Sequence, residues 1–145
     1  MASGADFIRV VLLSSIGKET FGQKVRLIAR TVFTEANSPL IWIEDSGRYA
    51  LADITVILGS DNSALELFRQ PRCHVMITGY VEEPEIQERL PMGASIPKSK
   101  VSSPFVIRVV LLQSVPDIDT SAWRKAILAR QELAERARQP KIAQQ

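Results

Sequence analysis

The sequence predicts a mainly β domain that ends in a single α-helix. Up to Val115, apolar residues either alternate with polar ones or form continuous β-branched runs, as they do in strands. From Asp119 onward the chain is rich in Ala, Leu, Arg, Gln and Glu, which are strong helix formers. With 145 residues, of which 46% are hydrophobic and 23% charged, the chain is long enough to bury one core. We therefore expect a single domain over residues 1–145.

The first half of the chain contains four strand candidates separated by turn residues. They span residues 7–13, 23–33, 40–44 and 48–58. Asn37-Ser38-Pro39 predicts a turn after the second strand, and Asp45-Ser46-Gly47 predicts a tight hairpin after the third. In the second strand, alternate residues from Val25 to Phe33 share one face, and a more basic series from Lys24 to Arg30 shares the other.

A short helix is predicted next, over residues 64–69, and Pro71 ends it. A further strand is expected over residues 73–81. Gly79 in that strand is a plausible bulge or bend, because glycine inside a strand often marks one.

The polar, proline-rich stretch 82–104 predicts a long loop, and residues 105–115 form the last predicted strand. The barrel strands are therefore expected within about residues 7–115. The terminal helix is expected over about residues 119–138, with Asp119, Thr120 and Ser121 as candidate N-caps.

This order of elements is that of an OB-fold, a five-stranded Greek-key barrel with a helix between its third and fourth strands. Residues 7–13 are then an extension strand that precedes the barrel. A β-sandwich is the main competing fold, but sandwiches rarely interrupt their strands with a helix at this point.

The charge balance favours a nucleic-acid contact that depends on a partner. The formal net charge is only +2, whereas a protein that binds nucleic acid alone usually has a larger basic excess. No apolar run reaches the roughly 20 residues of a membrane span. The first six residues also lack the basic region of a secretory signal, so we expect an intracellular protein.

Neither catalysis nor cofactor binding is predicted. Cys73 is the only cysteine and His74 the only histidine, and two ligands cannot complete a tetrahedral zinc site. Glu44 and Asp53 are isolated acids, and the sequence contains neither a P-loop nor a glycine-rich dinucleotide turn. We expect a protein that is not an enzyme and that holds no metal and no cofactor.

The terminal helix is the candidate partner surface. It combines an apolar stripe with a tryptophan, and buried aromatic residues contribute much of the binding energy at protein interfaces. The residues expected to contact the partner are Trp123, Ala126, Ile127, Arg130, Leu133 and Ala134. The alternative is that Trp123 packs into the barrel of its own domain.

A second candidate surface combines basic and aromatic residues on neighbouring strands, as single-strand-binding proteins do. Its members are Lys24, Arg26, Arg30, Trp42, Arg48 and Tyr49. The alternatives are a solvated barrel face for the basic residues, and the core or a partner interface for Trp42.

Five segments resemble the Ten-one family, the smallest OB-fold subunit of the CST (Ctc-Stn-Ten) telomere-capping complex. Gly22-Gln23-Lys24-Val25-Arg26-Leu27 is similar to the family's entry to the first barrel strand. Residues 50–58 and 75–81 look like its third and fourth strands. Residues 108–112, followed by 123–131, are similar to its last strand and amphipathic helix.

The resemblance implies a partner and a location. It implies that the terminal helix packs on the equivalent helix of a larger OB-fold subunit, Stn-one, within a complex that has a third, large subunit. It also implies weak, assisted binding of single-stranded telomeric DNA, regulation of polymerase α-primase, and a place at telomeres in the nucleus. Two alternatives stay open: the small subunit of a replication protein A-like complex, and a stand-alone OB-fold that binds nucleic acid or oligosaccharide.

Overall fold

The structure is a computed structural model that describes residues 7–34, 39–59, 74–84 and 101–138. Several predicted features lie outside the described residues. They are the helix over 64–69, Pro71, Cys73, the turn residues Asn37 and Ser38, most of the loop 82–104, and Pro140.

Six strands form one sheet that closes into a barrel. They are β1 (Arg9–Val10), β2 (Lys24–Thr34), β3 (Leu40–Asp45), β4 (Arg48–Asp53), β5 (His74–Glu82) and β6 (Val101–Ser114). The strand order is β1-β2-β3-β4-β6-β5, and β5 pairs back with β2. The β1–β2 and β4–β6 pairs are parallel, and the other pairs are antiparallel. The five strands β2 to β6 therefore form the barrel of an OB-fold, and the predicted fold class is confirmed.

Two helices complete the described elements, α1 (Thr55–Leu58) and α2 (Thr120–Arg138). Short 3-10 helices span Leu13–Ser15 and Lys18–Thr20. The terminal helix thus occupies the predicted residues.

The barrel core is built from alternate residues of the strands. In β2, Val25, Leu27, Ala29 and Thr31, which were predicted to share one face, are all buried. The pairing of β2 with β3 shifts between Thr31 and Phe33, so the simple alternation ends there.

The predicted hairpin between β3 and β4 is confirmed. Ser46 and Gly47 form the two-residue turn, with φ of 53° and 81°. Two consecutive residues with positive φ match the twist of the flanking strands. The backbone N–H of Gly47 also donates to Glu44 Oε2 at 3.1 Å.

The predicted strand over residues 7–13 is wrong in length. Only Arg9–Val10 pairs with β2, and the chain then turns into the 3-10 helix at Leu13–Ser15. Leu13 is fully buried, so this part of the apolar run contributes to the core from a 3-10 turn rather than from a strand. An apolar run by itself does not distinguish these two ways of burial.

The predicted strand over residues 48–58 is also too long. β4 ends at Asp53, whose Oδ1 accepts hydrogen bonds from the backbone N–H of Thr55 at 2.9 Å and from its hydroxyl at 2.6 Å. These two bonds turn the chain into α1. Ile57 of α1 then packs against the core.

The last strand begins earlier than predicted, at Val101, which is paired with Tyr49. Residues 101–104, which were predicted to belong to the loop, are therefore part of the strand. Pro104 lies within β6 where the register with β4 shifts, a position at which proline removes little regular pairing. The predicted irregularity at Gly79 is confirmed, because the β5–β6 register shifts between Thr78 and Gly79.

Candidate subunit and nucleic-acid interfaces

The terminal helix begins at a side-chain cap. Asp119 Oδ1 accepts a hydrogen bond from the backbone N–H of Ala122 at 3.0 Å, and the backbone carbonyl of Asp119 accepts one from Trp123 N–H. Asp119 is thus the N-cap among the three predicted candidates. The cap satisfies an N–H group that has no partner within the helix.

Three contacts hold α2 on the barrel. Ile127 is only 2% exposed and faces the rest of the chain. One turn earlier, Arg124 Nη2 lies 3.0 Å from Asp45 Oδ1 at the end of β3. One turn later, Gln131 Nε2 donates to Ser15 Oγ at 3.2 Å. One face of the helix is therefore committed to its own domain.

The proposed partner residues of α2 differ in their exposure. Ile127 lies on the barrel side and Trp123 is half-buried, whereas the remaining four, Ala126, Arg130, Leu133 and Ala134, are exposed. Leu133 is the most exposed large apolar residue of the helix, at 64%. The apolar stripe in the sequence did not separate the buried residues from the exposed ones, because a helical wheel does not show how α2 is rotated on the barrel.

An outer stripe runs along the exposed flank of the helix. It consists of Ala122, Ala126, Leu133 and Ala137, all exposed and spaced by four or seven residues. Small residues allow another helix to approach closely, and Leu133 supplies one large apolar contact. This flank has the composition of a helix-packing surface.

A groove of about 670 Å³ lies beside this helix, between α2 and the N-terminal segment. Phe7, which is 73% exposed, lies at the groove, and Arg9 and Gln23 contribute polar groups. Arg130 and Ala134 line the helix side. Two of the expected partner residues therefore border a concave surface.

The predicted nucleic-acid residues of the β3–β4 hairpin do not form an open stacking surface. Trp42 is only 3% exposed and packs with Leu51 and Val106 on the outer face of the sheet. Tyr49 packs against this cluster and is half-buried. Arg30 forms an ion pair with Glu44 at 3.1 Å, and Arg48 is exposed after the hairpin turn.

Lys24 and Arg26 lie apart from that group, at the other end of β2. Lys24 and Arg30 are six positions apart along the strand, which corresponds to about 20 Å. Arg26 Nε donates to Thr78 Oγ1 of β5 at 3.1 Å, so its guanidinium lies over the β2–β5 pair. The six predicted residues therefore belong to two separate surfaces.

Two residues that were not predicted join Lys24 on the outer face. Tyr80 of β5 is paired with Lys24 of β2 on one side and with Arg108 of β6 on the other. The ring centroid of Tyr80 lies 5.8 Å from Lys24 Nζ and 5.6 Å from Arg108 Cζ. Glu82 pairs with Arg108 at 3.1 Å. Strand alternation could indicate that these side chains point outward, but only the pairing register places them in one row.

The described residues contain no group of three or more His, Cys, Asp or Glu side chains arranged to hold a metal ion. No helix within the described ranges is long and apolar enough to cross a membrane.

The closed barrel and its terminal helix define the chain as an OB-fold protein. Its structure is similar to that of a chain in the S. pombe Stn1–Ten1 complex, with a TM-score of 0.61 and 19% identity. The match covers 89% of this chain and 96% of that one. The telomere capping protein Ten1 from S. pombe, solved separately, gives a TM-score of 0.59 at 17% identity and covers 87% and 99% of the two chains.

The fold also occurs within larger enzymes. The asparaginyl-tRNA synthetase of Entamoeba histolytica, solved with asparaginyl-adenylate, matches with a TM-score of 0.57 and 14% identity. This match covers 79% of the present chain but only 25% of the synthetase. No protein-family model matches the sequence, and no curated protein matches it. These likenesses therefore show a Ten1-like OB-fold and, at such low identity, the fold alone.

Proposed function

We propose that this chain is a telomere-capping subunit that pairs with a larger, Stn-one-like OB-fold protein through α2. The observation that carries the proposal is the extent of the likeness to S. pombe Ten1, which covers 87% of this chain and 99% of that one. By contrast, the synthetase match leaves three quarters of that enzyme without a counterpart. The chain acts as a scaffold, and its mechanism is burial of surface rather than catalysis.

The outer stripe and the groove support this pairing. Leu133 is 64% exposed on an otherwise alanine-rich flank, so a partner that covers it would bury apolar surface. Phe7, which lines the groove, is also exposed. The residues of α2 proposed to contact the partner are thus Ala126, Arg130, Leu133 and Ala134, together with the half-buried Trp123.

The pair joins a third, large subunit at telomeres in the nucleus, binds single-stranded telomeric DNA and regulates polymerase α-primase. In this assembly the chain makes a minor share of the DNA contacts. The small net charge of +2 supports that division, because phosphate binding depends on a cationic surface.

The first test is capture of tagged full-length protein from the source cells, with partners identified by mass spectrometry. The expected result is one mid-sized OB-fold protein together with a very large third subunit. Recovery of replication protein A subunits would instead support the replication alternative. If no stoichiometric partner is recovered, the proposal fails.

The second test locates the interface with two matched substitutions on α2. Leu133→Asp is expected to abolish capture of the partner, because it places a carboxylate on the outer stripe. Leu128→Asp makes the same chemical change at a residue that is 49% exposed on the opposite flank, and it should leave capture intact. Both variants should unfold at the wild-type denaturant midpoint. Undiminished capture by the Leu133 variant would remove the outer stripe from the interface.

A further inference from the structure

We infer that the outer face of β2, β5 and β6 holds a nucleotide-binding row in which Tyr80 stacks a base and Lys24, Arg26 and Arg108 bind the flanking phosphates. The inference rests on the single-strand binding in the proposed function and assigns it to one site. OB-folds usually bind oligonucleotides on the face of their second and third strands, which are β3 and β4 here. In this chain Trp42 is buried on that face, whereas Tyr80 lies on β5, between β2 and β6.

The row is formed by strand pairing and so is held by the barrel itself. Lys24, Tyr80 and Arg108 are direct cross-strand neighbours on three adjacent strands. Arg26 lies two residues further along β2, on the same face as Lys24. Two cations thus lie against one aromatic ring, and a third lies further along the same face. Basic groups beside a stacking ring are the combination that sequence-tolerant single-strand sites use.

The acidic groups near the row leave it with a net positive charge. Glu82 pairs with Arg108, and the two side chains are 40% and 46% exposed, so water screens the pair. Asp53 is the neighbour of Arg108 on β4, but its carboxylate accepts the two hydrogen bonds from Thr55. Among the described residues no carboxylate pairs with Lys24.

Binding needs one local exchange. Lys24 and Arg108 each lie against the Tyr80 ring before DNA arrives. Stacking of a base on an aromatic ring is stronger than an exposed contact between a cation and the ring. A base therefore displaces the flexible Lys24 side chain, whose ammonium then meets the adjacent phosphate. The Lys24 ammonium thus exchanges its contact with the Tyr80 ring for a contact with the phosphate.

The test measures binding of the full-length chain to fluorescein-labelled (dT)12 and to a 12-mer of abasic sites, by fluorescence anisotropy. The two probes have the same backbone, so their difference reports base stacking. Wild-type protein is expected to bind (dT)12 about tenfold more tightly than the abasic probe. Equal affinity for the two probes, or no binding of (dT)12, overturns the inference.

Substitutions then assign the stacking to Tyr80. Tyr80→Leu is expected to lose about tenfold in affinity for (dT)12 and to bind both probes alike. Tyr80→Phe keeps the ring and should stay within about twofold of wild type, since stacking uses the ring face. If Tyr80→Leu binds (dT)12 as wild type does, Tyr80 serves only to order the sheet and the inference is wrong.

The phosphate contacts are tested by salt dependence. Arg108→Gln should reduce the slope of log affinity against log salt by about 0.7, the value for one phosphate contact on a single strand. Arg136→Gln, which removes the same charge from an exposed arginine of α2, should leave the slope unchanged. Equal changes in the two variants would indicate a diffuse electrostatic effect and would contradict the site.

Crosslinking of the unmodified protein removes any dependence on how the variants fold. A (dT)12 probe with 5-iodo-deoxyuridine is irradiated with the full-length chain, and the modified peptide is sequenced. Modification at Tyr80 is expected, whereas modification confined to the β3–β4 hairpin overturns the assignment. These measurements concern DNA binding alone and do not depend on partner capture by α2. Failure of this inference is therefore distinct from failure of the proposed function.

Discussion

The guanidinium of Arg124 lies 3.0 Å from the carboxylate of Asp45, and this ion pair connects the terminal helix to the β3–β4 hairpin. The two elements are distant in sequence, and Asp45 is largely shielded from water. Together with Ile127, the pair sets the rotation of α2 on the barrel. That rotation determines which residues of the helix remain available to a partner.

Breaking this ion pair should weaken the attachment of the helix. Arg124→Ala is expected to lower the free energy of unfolding by about 1 kcal/mol or less, since Arg124 is more than a third exposed and water screens the interaction. Urea unfolding of Arg124→Ala, Asp45→Asn and the double variant measures the coupling between them, expected at about 0.5 kcal/mol. Strictly additive effects would show that apolar packing alone orients α2.

Ile127 and Leu133 were both predicted to contact the partner, but only Ile127 should contribute substantially to the stability of the isolated chain. Ile127→Ala removes a buried side chain and should cost about 2–5 kcal/mol of stability. Leu133→Ala changes an exposed residue and should stay within about 0.5 kcal/mol. Thermal or urea unfolding of the isolated chain checks both. Similar losses for the two variants would contradict the orientation of the helix described above.

Gly79 should not tolerate a side chain. A Cβ at this position would overlap the backbone carbonyl of Arg108, which cannot move without disturbing β6. Gly79→Ala should therefore destabilise the fold by about 1–3 kcal/mol, as overpacking does. Gly59→Ala is the matched control, because a Cβ there would meet only the carbonyl of Val56 at an ordinary distance of 3.7 Å. Equal denaturant midpoints for the two variants would contradict the close approach of β5 and β6.

Loss of the N-cap should destabilise α2. Asp119→Ala is expected to cost about 1 kcal/mol, because it leaves the N–H of Ala122 without its side-chain acceptor. Asp117→Ala removes an exposed aspartate two residues earlier and serves as the control. Helical circular dichroism and urea unfolding report the two effects. An Asp117 variant that loses as much as the Asp119 variant would indicate an effect of charge rather than capping.

Local signals in the sequence were sufficient for much of the fold. The alternation along β2 identified its buried face, and the Ser46-Gly47 turn identified the hairpin. The residues that decide these features are neighbours along the chain. The end of β4 was missed because the apolar run continues past Asp53. The run gives no sign of the two hydrogen bonds from Thr55 to Asp53 that end the strand.

The candidate sites depended on contacts that sequence patterns do not specify. Trp42 was a stacking candidate, but its burial follows from pairing with Leu51 on β4 and from Val106 on β6. The row of Lys24, Tyr80 and Arg108 likewise requires the register of three strands from separate parts of the chain. Side-chain direction is a local property, whereas adjacency across a barrel is not.

Closure of the barrel has a consequence for synthesis in the cell. β4 has its second neighbour only in β6, and β2 completes the ring only through β5. A chain still attached to the ribosome therefore has unpaired strand edges until β6 has emerged. Such non-local pairing is slow to form and exposed to aggregation meanwhile. We expect the barrel to close only after β6 has emerged, when the helix that follows β6 can also settle on it.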